Sequence, residues 1–243
     1  MRKIVFRMDD VGASTKKFEI YSNKMFGNFL FLKRMPYFKA WGPYDELTSD
    51  NWRDIFNFIG ENNYKISLAI TAAWADEKNN LIPFYDKFPD QAKVIHDYLK
   101  KDIVEINNHG LTHCVVGKHK PRLFSSNRKY HREFWEWLPY ETQYFNISKS
   151  SEIFKNWLGF SPDILVPPGN VYSIDTIKIC EELNFKTINS SKTFHVKTNI
   201  RILNNDNVFT FHDRDISLYG SVWLKNLYKN YSKSHQFHFI KEL

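Results

Sequence analysis

Short apolar runs alternate along this chain with longer segments whose apolar residues recur every three or four positions. The short runs read as strands and the long ones as helices. Residues 4–8 form the first predicted strand, and residues 16–32 a helix. A second helix, 50–61, carries Trp52, Ile55, Phe56 and Ile59 at helical spacing behind Ser49 as its cap. Residues 65–71, KISLAIT, are a strand, and Pro89 suits the first turn of a helix running to Lys100. The strand at 103–107 runs straight into His109. A helix over 141–158 is ended by Gly159, and a strand at 163–166 leads into Pro167-Pro168-Gly169-Asn170. Ser173 caps a helix to Leu183. Strands are expected at 186–189, 200–203 and 208–211, a helix at 217–231 and a last strand at 237–240.

Strand and helix alternate without any linker or repeat, which predicts βα units and a mostly parallel sheet. The expected fold is therefore α/β: a single-domain distorted (β/α) barrel of about seven βα units over residues 1–243. Residues 114–140 break the alternation. They are basic and aromatic, with His119, Lys120, Arg122, Arg128, Lys129, His131, Trp135 and Trp137, and read as a long irregular insertion over the barrel mouth.

Composition narrows the function classes. Hydrophobic residues reach 42% and charged residues 25%, so the chain can bury a core and is not a disordered segment. Aromatics are high at 17%. They first imply a bulky core, and second a groove for sugar faces, with Trp41 and Trp74 near predicted loop or strand ends as the platform. The net charge of +7 suggests an anionic partner such as a phosphate-bearing ligand or an anionic membrane surface touched peripherally. No nucleic-acid-binding signature accompanies it, so no nucleic-acid partner is expected. Cys114 and Cys180 are far apart and suit reduced thiols. The start, MRKIVFRMDD, lacks the long apolar stretch of an export signal, and no apolar run is long enough to span a membrane. The expected location is the cytoplasm.

The chemistry-bearing residues stand where predicted strands stop: Asp9 and Asp10 after the first, His109 and His113 after the strand at 103, His212 after the strand at 208. In a barrel of parallel strands those ends converge on one mouth. His109 and His113 are four apart, so on one helical turn both rings would face one metal ion, with Asp9 or Asp10 supplying an oxygen. Each piece alone is weak, because paired histidines serve in turns, paired aspartates close strands and a lone histidine is often structural. Together they supply a metal site, a spare carboxylate and a spare imidazole, the set that metal-assisted amide hydrolysis needs.

These stretches resemble the polysaccharide deacetylases of carbohydrate esterase family four. The family's TFDDG is similar to FRMDDVG (Phe6 to Gly12), its EIGNHTxxH to EINNHGLTH (Glu105 to His113), its RPPYG to VPPGN (Val166 to Asn170) and its LxHD to FTFHD (Phe209 to Asp213). The closing FHFIKEL resembles the family's final strand. The motifs occur in the family's order over nearly the whole chain. The resemblance implies that Asp9 is the general base, that Asp10, His109 and His113 bind the metal, and that His212 is the general acid. It implies a substrate loop of Pro168, Gly169 and Asn170, with the Gly169 N–H facing the oxyanion. Zinc suits the donors best, and cobalt, nickel, manganese or iron could occupy them.

Three departures stand out. Val166 replaces the Arg that holds the base in the family, and Arg7 or Arg214 is the nearest substitute. Gly169 replaces an aromatic residue. The Asp and Trp that orient the acidic His are not visible, leaving Asn189, Asp213 or Asp215 for that task. The implied activity is removal of an N-acetyl or other short N-acyl group from an amino sugar, in the biosynthesis of a bacterial surface glycan such as O-antigen or capsule. The substrate would be an amino-sugar-containing small molecule, a nucleotide-sugar or a lipid-linked saccharide, with the basic residues between Lys118 and Arg132 on its phosphates. The rival readings are a deformylase or other linear-amide hydrolase, and a non-catalytic carbohydrate-binding or assembly protein on a decayed deacetylase scaffold.

Overall fold

The computed structural model describes residues 1–17, 44–120 and 128–243. Trp41, Arg122 and all but the first two residues of the helix expected at 16–32 lie outside them, and Ser14–Lys17 forms a short 3-10 turn. The first strand, β1 (Arg2–Val11), is longer than its apolar run and contains both aspartates rather than preceding them. Its side chains alternate as a strand's must. Ile4, Phe6 and Met8 join the outer core, while Val5, Arg7 and Asp9 face the inside of the curled sheet.

The remaining strands are β2 (Ile66–Ile70), β3 (Ala73–Ala75), β4 (Leu81–Pro83), β5 (Val104–Asn108), β6 (Ile164–Leu165), β7 (Thr187–Asn189), β8 (Arg201–Leu203), β9 (Val208–His212) and β10 (His235–Phe237). Eight of them build one sheet in the order β10-β1-β2-β5-β6-β7-β8, with β9 also on β1, and every pairing in it is parallel. Among the described residues no ladder joins β8 to β9, so the barrel is a distorted one that curls without closing. The β3–β4 hairpin, which the sequence pattern does not reveal, is antiparallel and separate.

Among the described residues six helices flank the sheet: α1 (Ser49–Glu61), α2 (Phe84–Lys87), α3 (Pro89–Leu99), α4 (Tyr140–Leu158), α5 (Ile174–Glu182) and α6 (Asp213–Tyr231). Trp52, Ile55, Phe56 and Ile59 are the buried face of α1, as their spacing predicts. Its cap is Thr48 rather than Ser49: Thr48 accepts from the Asn51 N–H and Asn51 answers with a bond to the Thr48 N–H. Ser173 caps α5 as expected, and Gly159 ends α4 in the left-handed conformation at φ 83°. Helix α6 starts four residues earlier than its apolar pattern suggests, which makes His212 its N-terminal boundary. The last strand ends at Phe237, and Ile240–Glu242 is a 3-10 turn.

Among the described residues most aromatics pack in or against the core. Phe6 packs against Phe209, Tyr228 and Phe237 at ring distances of 5.0, 4.4 and 5.0 Å. Glu105, from the EINNH stretch, has no part at the mouth. Its carboxylate accepts from Ser67 Oγ at 2.7 Å and from the N–H groups of Ile240 and Lys241 at 3.0 and 3.1 Å, plugging the opposite end of the sheet. Cys114 and Cys180 are both buried and unpaired, and burial pushes both thiols up. Among the described residues no helix is long and apolar enough to cross a membrane.

Candidate active site

Strand alternation carries Asp9 and His212 to the inner face at the C-terminal ends of β1 and β9, where they are register partners. On β5, Glu105 and Asn107 set the inward parity, and His109 follows it one residue past the strand. Parity alone would send Asp10 outward into the apolar layer with Phe6 and Met8. It does not go there, because β1 bulges: Met8 pairs with Leu68 but Val11 with Ile70, so Asp9 and Asp10 together oppose Ala69. Asp10 sits at φ 69°, a conformation disfavoured for a residue with a side chain and most often kept at functional sites. The extra residue turns its carboxylate toward the mouth.

The histidine pair does not lie on a helical turn. His109 leaves β5, Gly110 reverses the chain at φ 85° and His113 is itself left-handed at φ 67°. The rings nevertheless meet, with centroids 5.1 Å apart. Asp10 Oδ1 lies 3.4 Å from His109 Nε2 and 3.1 Å from His113 Nε2. The second nitrogen of each ring is anchored, His109 Nδ1 on the Val166 carbonyl at 2.6 Å and His113 Nδ1 on Thr15 Oγ1 at 3.3 Å. Such outer contacts fix which nitrogen points inward. His113 Nε2 is buried without a hydrogen bond, and the three donors form the one group of this kind among the described residues. An orphaned imidazole nitrogen facing a second imidazole and a carboxylate fits a divalent cation. Burial opposes ionisation of Asp10, but His212, His113 and His109 together hold its carboxyl well below the usual range.

The departure at Val166 is compensated from inside the sheet. Arg7 grips Asp9 with both arms of its fork, Nε to Oδ1 and Nη2 to Oδ2, each at 2.8 Å, and all of it is buried. Arg7 Nη1 in turn donates to Asn189 Oδ1. Asn189 therefore braces Asp9 through Arg7, and among the described residues its hydrogen bonds do not include His212. Its Nδ2 is held by the carbonyls of Leu203 and Asn204 and by Asn205. Val166 keeps a role through its backbone, since any residue there could offer its carbonyl to His109.

His212 lies with Nε2 3.9 Å from Asp10 Oδ2 and Nδ1 3.7 Å from Asp215 Oδ2. Asp215 also accepts the His212 N–H at 2.8 Å, so of Asn189, Asp213 and Asp215 it is the one that stands beside this imidazole. Burial would depress the ring, but the charge of Asp10, the Asp215 carboxylate and Asp9 raise it to about 9, while Arg214 opposes them only through its charge. Asp213 points elsewhere. It is fully buried against Lys16 Nζ and takes the Tyr44 hydroxyl at 2.9 Å. Lys16 also reaches Glu46 at 2.5 Å, and Glu46 accepts the Gly12 N–H at 2.9 Å. This cluster ties the loop after Asp10 to the start of α6.

Pro168–Asn170 forms a tight turn with Gly169 at φ 59° and Asn170 at φ 58°. The Asn170 side chain accepts the Ser191 N–H at 2.9 Å and so braces the neighbouring loop. Trp74 is half-buried, edge-on to Phe88 at 5.6 Å with Lys87 over its ring. The basic stretch does not act as one face: Lys120 reaches the Glu77 carbonyl, Lys129 lies over Tyr130 and Trp137, and Arg132 packs on Gly169.

Sequence reasoning missed Glu133, one of two acids in that basic stretch. It is fully buried and accepts from the Leu111 N–H at 2.8 Å, the Thr112 N–H at 2.7 Å and Thr112 Oγ1 at 2.9 Å, holding the loop between the two histidines. Burial pushes it up to about 7 against those donors. A Cβ on Gly110 would meet its Oε2 at 2.0 Å. Gly110→Ala is therefore expected to cost about 3 kcal/mol or more, combining left-handed strain with a displaced Glu133. Chemical denaturation measures it, and a loss under about 1 kcal/mol would mean that the carboxylate moves aside at no cost.

Comparisons with known proteins bear on the fold and the family. The Polysaccharide deacetylase family model matches residues 39–188, more than half of the chain. That span holds His109 and His113, while Asp9, Asp10 and His212 are brought to them by the fold. No curated protein matches the chain in sequence. Among solved structures, a CE4 family pseudoenzyme from Bacillus anthracis is similar over 100% of this chain at 11% identity and TM-score 0.52, and the chain spans 65% of that protein. The Bc1960 peptidoglycan N-acetylglucosamine deacetylase is similar over 99% of this chain and 86% of its own at 14% identity and TM-score 0.52. The Xyl-CE4 domain of a multidomain xylanase from the hindgut metagenome of Trinervitermes trinervoides matches over 99% and 88% at 10% identity and TM-score 0.52. At these identities the structures establish a shared fold, and the family model establishes kinship: the chain belongs to the polysaccharide deacetylase family.

Proposed function

We propose that the chain is a metal-dependent hydrolase that removes an N-acetyl, or other short N-acyl, group from an amino sugar. The observation that carries this reading is one mouth holding three groups in separate roles: the Asp10, His109 and His113 donors, the Arg7-clamped Asp9 and the Asp215-backed His212. Asp10, His109 and His113 would hold a divalent cation, zinc by its donor set, which would supply Lewis acidity toward the acyl carbonyl and the attacking water. Asp9 takes the proton of that water, kept oriented by the Arg7 fork. The backbone at Gly169 faces the oxyanion that develops on the carbonyl oxygen. His212, backed by the Asp215 carboxylate, gives its proton to the departing nitrogen. The products are a short carboxylic acid and an amino sugar.

The substrate we favour is a precursor of a bacterial surface glycan, O-antigen or capsule, met in the cytoplasm as a nucleotide-linked or lipid-linked sugar. The net charge of +7 suits a phosphate-bearing substrate. Purified, zinc-loaded protein should release acetate from such N-acetyl sugars. Elemental analysis beside it should find one metal per chain, lost in His113→Ala. No acid released from any sugar, with metal bound, would overturn the hydrolase. Formate instead of acetate would turn the reading to a deformylase. The pseudoenzyme among the structural neighbours favours keeping a second reading, a binding or assembly protein on this scaffold. Such a protein would bind sugars without turnover.

A further inference from the structure

The loop between the two histidine donors, Gly110 to Thr112, is buried, so its backbone polar groups need partners within the protein. Its carbonyls accept from the N–H groups of Ala72, Ala73 and Ser14 at 3.0, 2.7 and 3.3 Å. The Gly110 N–H goes to Asn108 Oδ1 at 2.8 Å. The Leu111 N–H, the Thr112 N–H and the Thr112 hydroxyl all converge on one side chain, Glu133. Its Oε2 takes the first and its Oε1 the other two. Glu133 is itself pinned, because its neighbour Phe134 is buried in a core cluster with Leu165 and Tyr172. The irregular stretch thus delivers a fixed carboxylate to the loop that joins two metal donors.

The two histidines depend on that loop unequally. His109 has β5 directly behind it and the Val166 carbonyl on its ring. His113 has no strand behind it: it stands at φ 67° just past the loop, and its ring is anchored by the longer 3.3 Å contact to Thr15 Oγ1. The path of residues 110–112 therefore sets where His113 Nε2 lies relative to Asp10 and His109. We propose that Glu133 is a positioning residue that preforms the metal site, setting its affinity for a divalent cation without touching the ion. This rests on the metal reading of the mouth and is independent of the substrate. Two acceptor oxygens are needed, because the two N–H groups arrive on different ones. Glutamine keeps one acceptor and turns its NH2 toward the other N–H.

Zinc affinity, read by competition with a fluorescent chelator, tests this without any sugar. Glu133→Gln should bind zinc about tenfold more weakly than the wild type, and Glu133→Ala about 100-fold, the span over which such outer contacts act. The absorption bands of the cobalt-loaded protein should shift in Glu133→Gln as the donor geometry relaxes. Tyr228→Phe removes a buried bond to the Lys65 carbonyl, 2.9 Å long, at the far end of the sheet. It should cost stability and leave zinc affinity within about twofold. Thr112→Val, which takes away the hydroxyl but not the N–H groups, should weaken zinc about threefold. Circular dichroism establishes which variants fold. The proposal is overturned if the wild type binds no zinc, or if Tyr228→Phe weakens zinc as much as Glu133→Gln. Unchanged zinc affinity in Glu133→Gln, or in Thr112→Val should the Glu133 variants not fold, overturns it equally. Acid released from a sugar, with zinc affinity indifferent to Glu133, would sink this inference and leave the hydrolase standing. Glu133-dependent zinc binding with no acid released would do the reverse.

Discussion

Asp9→Asn is expected to lower acyl release about 10²- to 10⁴-fold, the usual share of a general base, while metal content stays at one ion per chain. The separation follows from the geometry. Asp9 is not among the donors that face one another at the metal site; its two oxygens are taken by Arg7 Nε and Nη2, each at 2.8 Å. An amide cannot accept both of those bonds, because its NH2 would meet a guanidinium N–H. The variant therefore loses the carboxylate proposed as proton acceptor and part of the clamp, and Asp10, His109 and His113 remain as they are. Acetate release and elemental analysis on the same preparation decide it. Retained turnover would show that another group takes the proton, and loss of metal would place Asp9 among the ligands.

Lys16→Met is expected to destabilise the protein by about 3–5 kcal/mol, the cost of leaving buried carboxylates without their cation. Lys16 is buried, and its Nζ bridges Glu46 and Asp213, both buried side chains. Burial opposes its charge, yet Asp213 and Glu46 outweigh that and raise its ionisation above the ordinary lysine value. Removing the ammonium leaves two acids facing each other with the Tyr44 hydroxyl as one remaining donor to Asp213. Denaturant unfolding reads the loss, and adding Asp213→Asn should recover part of it by removing one of the stranded charges. A loss below about 1 kcal/mol would mean that water reaches the cluster and screens it. Because Asp213 adjoins His212 at the start of α6, the same variant should also loosen the imidazole and lower turnover.

The second expectation rests on partners that no local pattern announces, whereas the first rests on a pair two residues apart on one strand. The alternation of Phe6, Arg7, Met8 and Asp9 already says that two charged residues face the same way along β1, and the strand ends already place Asp9, His109 and His212 at one mouth. Caps and stops were legible for the same reason: Ser173, Pro89 and Gly159 act on backbone groups within a few residues of themselves. Periodicity records which face a side chain takes, and that information is local.

What stands across from a side chain is not local. Asp10 reaches the metal donors because one extra residue on β1 opposes Ala69, and an L-residue held at φ 69° has no sequence signature. The HxxxH spacing suggested a helical turn, whereas a glycine reversal and the buried Glu133, twenty-two residues from Leu111, bring the rings together. Arg7 meets Asn189 across the inside of the sheet, 182 positions away, and Lys16 finds Asp213 across 197 positions. By itself the sequence determined the chemistry available and the end of the sheet where it gathers. The tertiary structure decided which groups hold which, because burying a charge is tolerable only beside a partner that the curl of the sheet delivers.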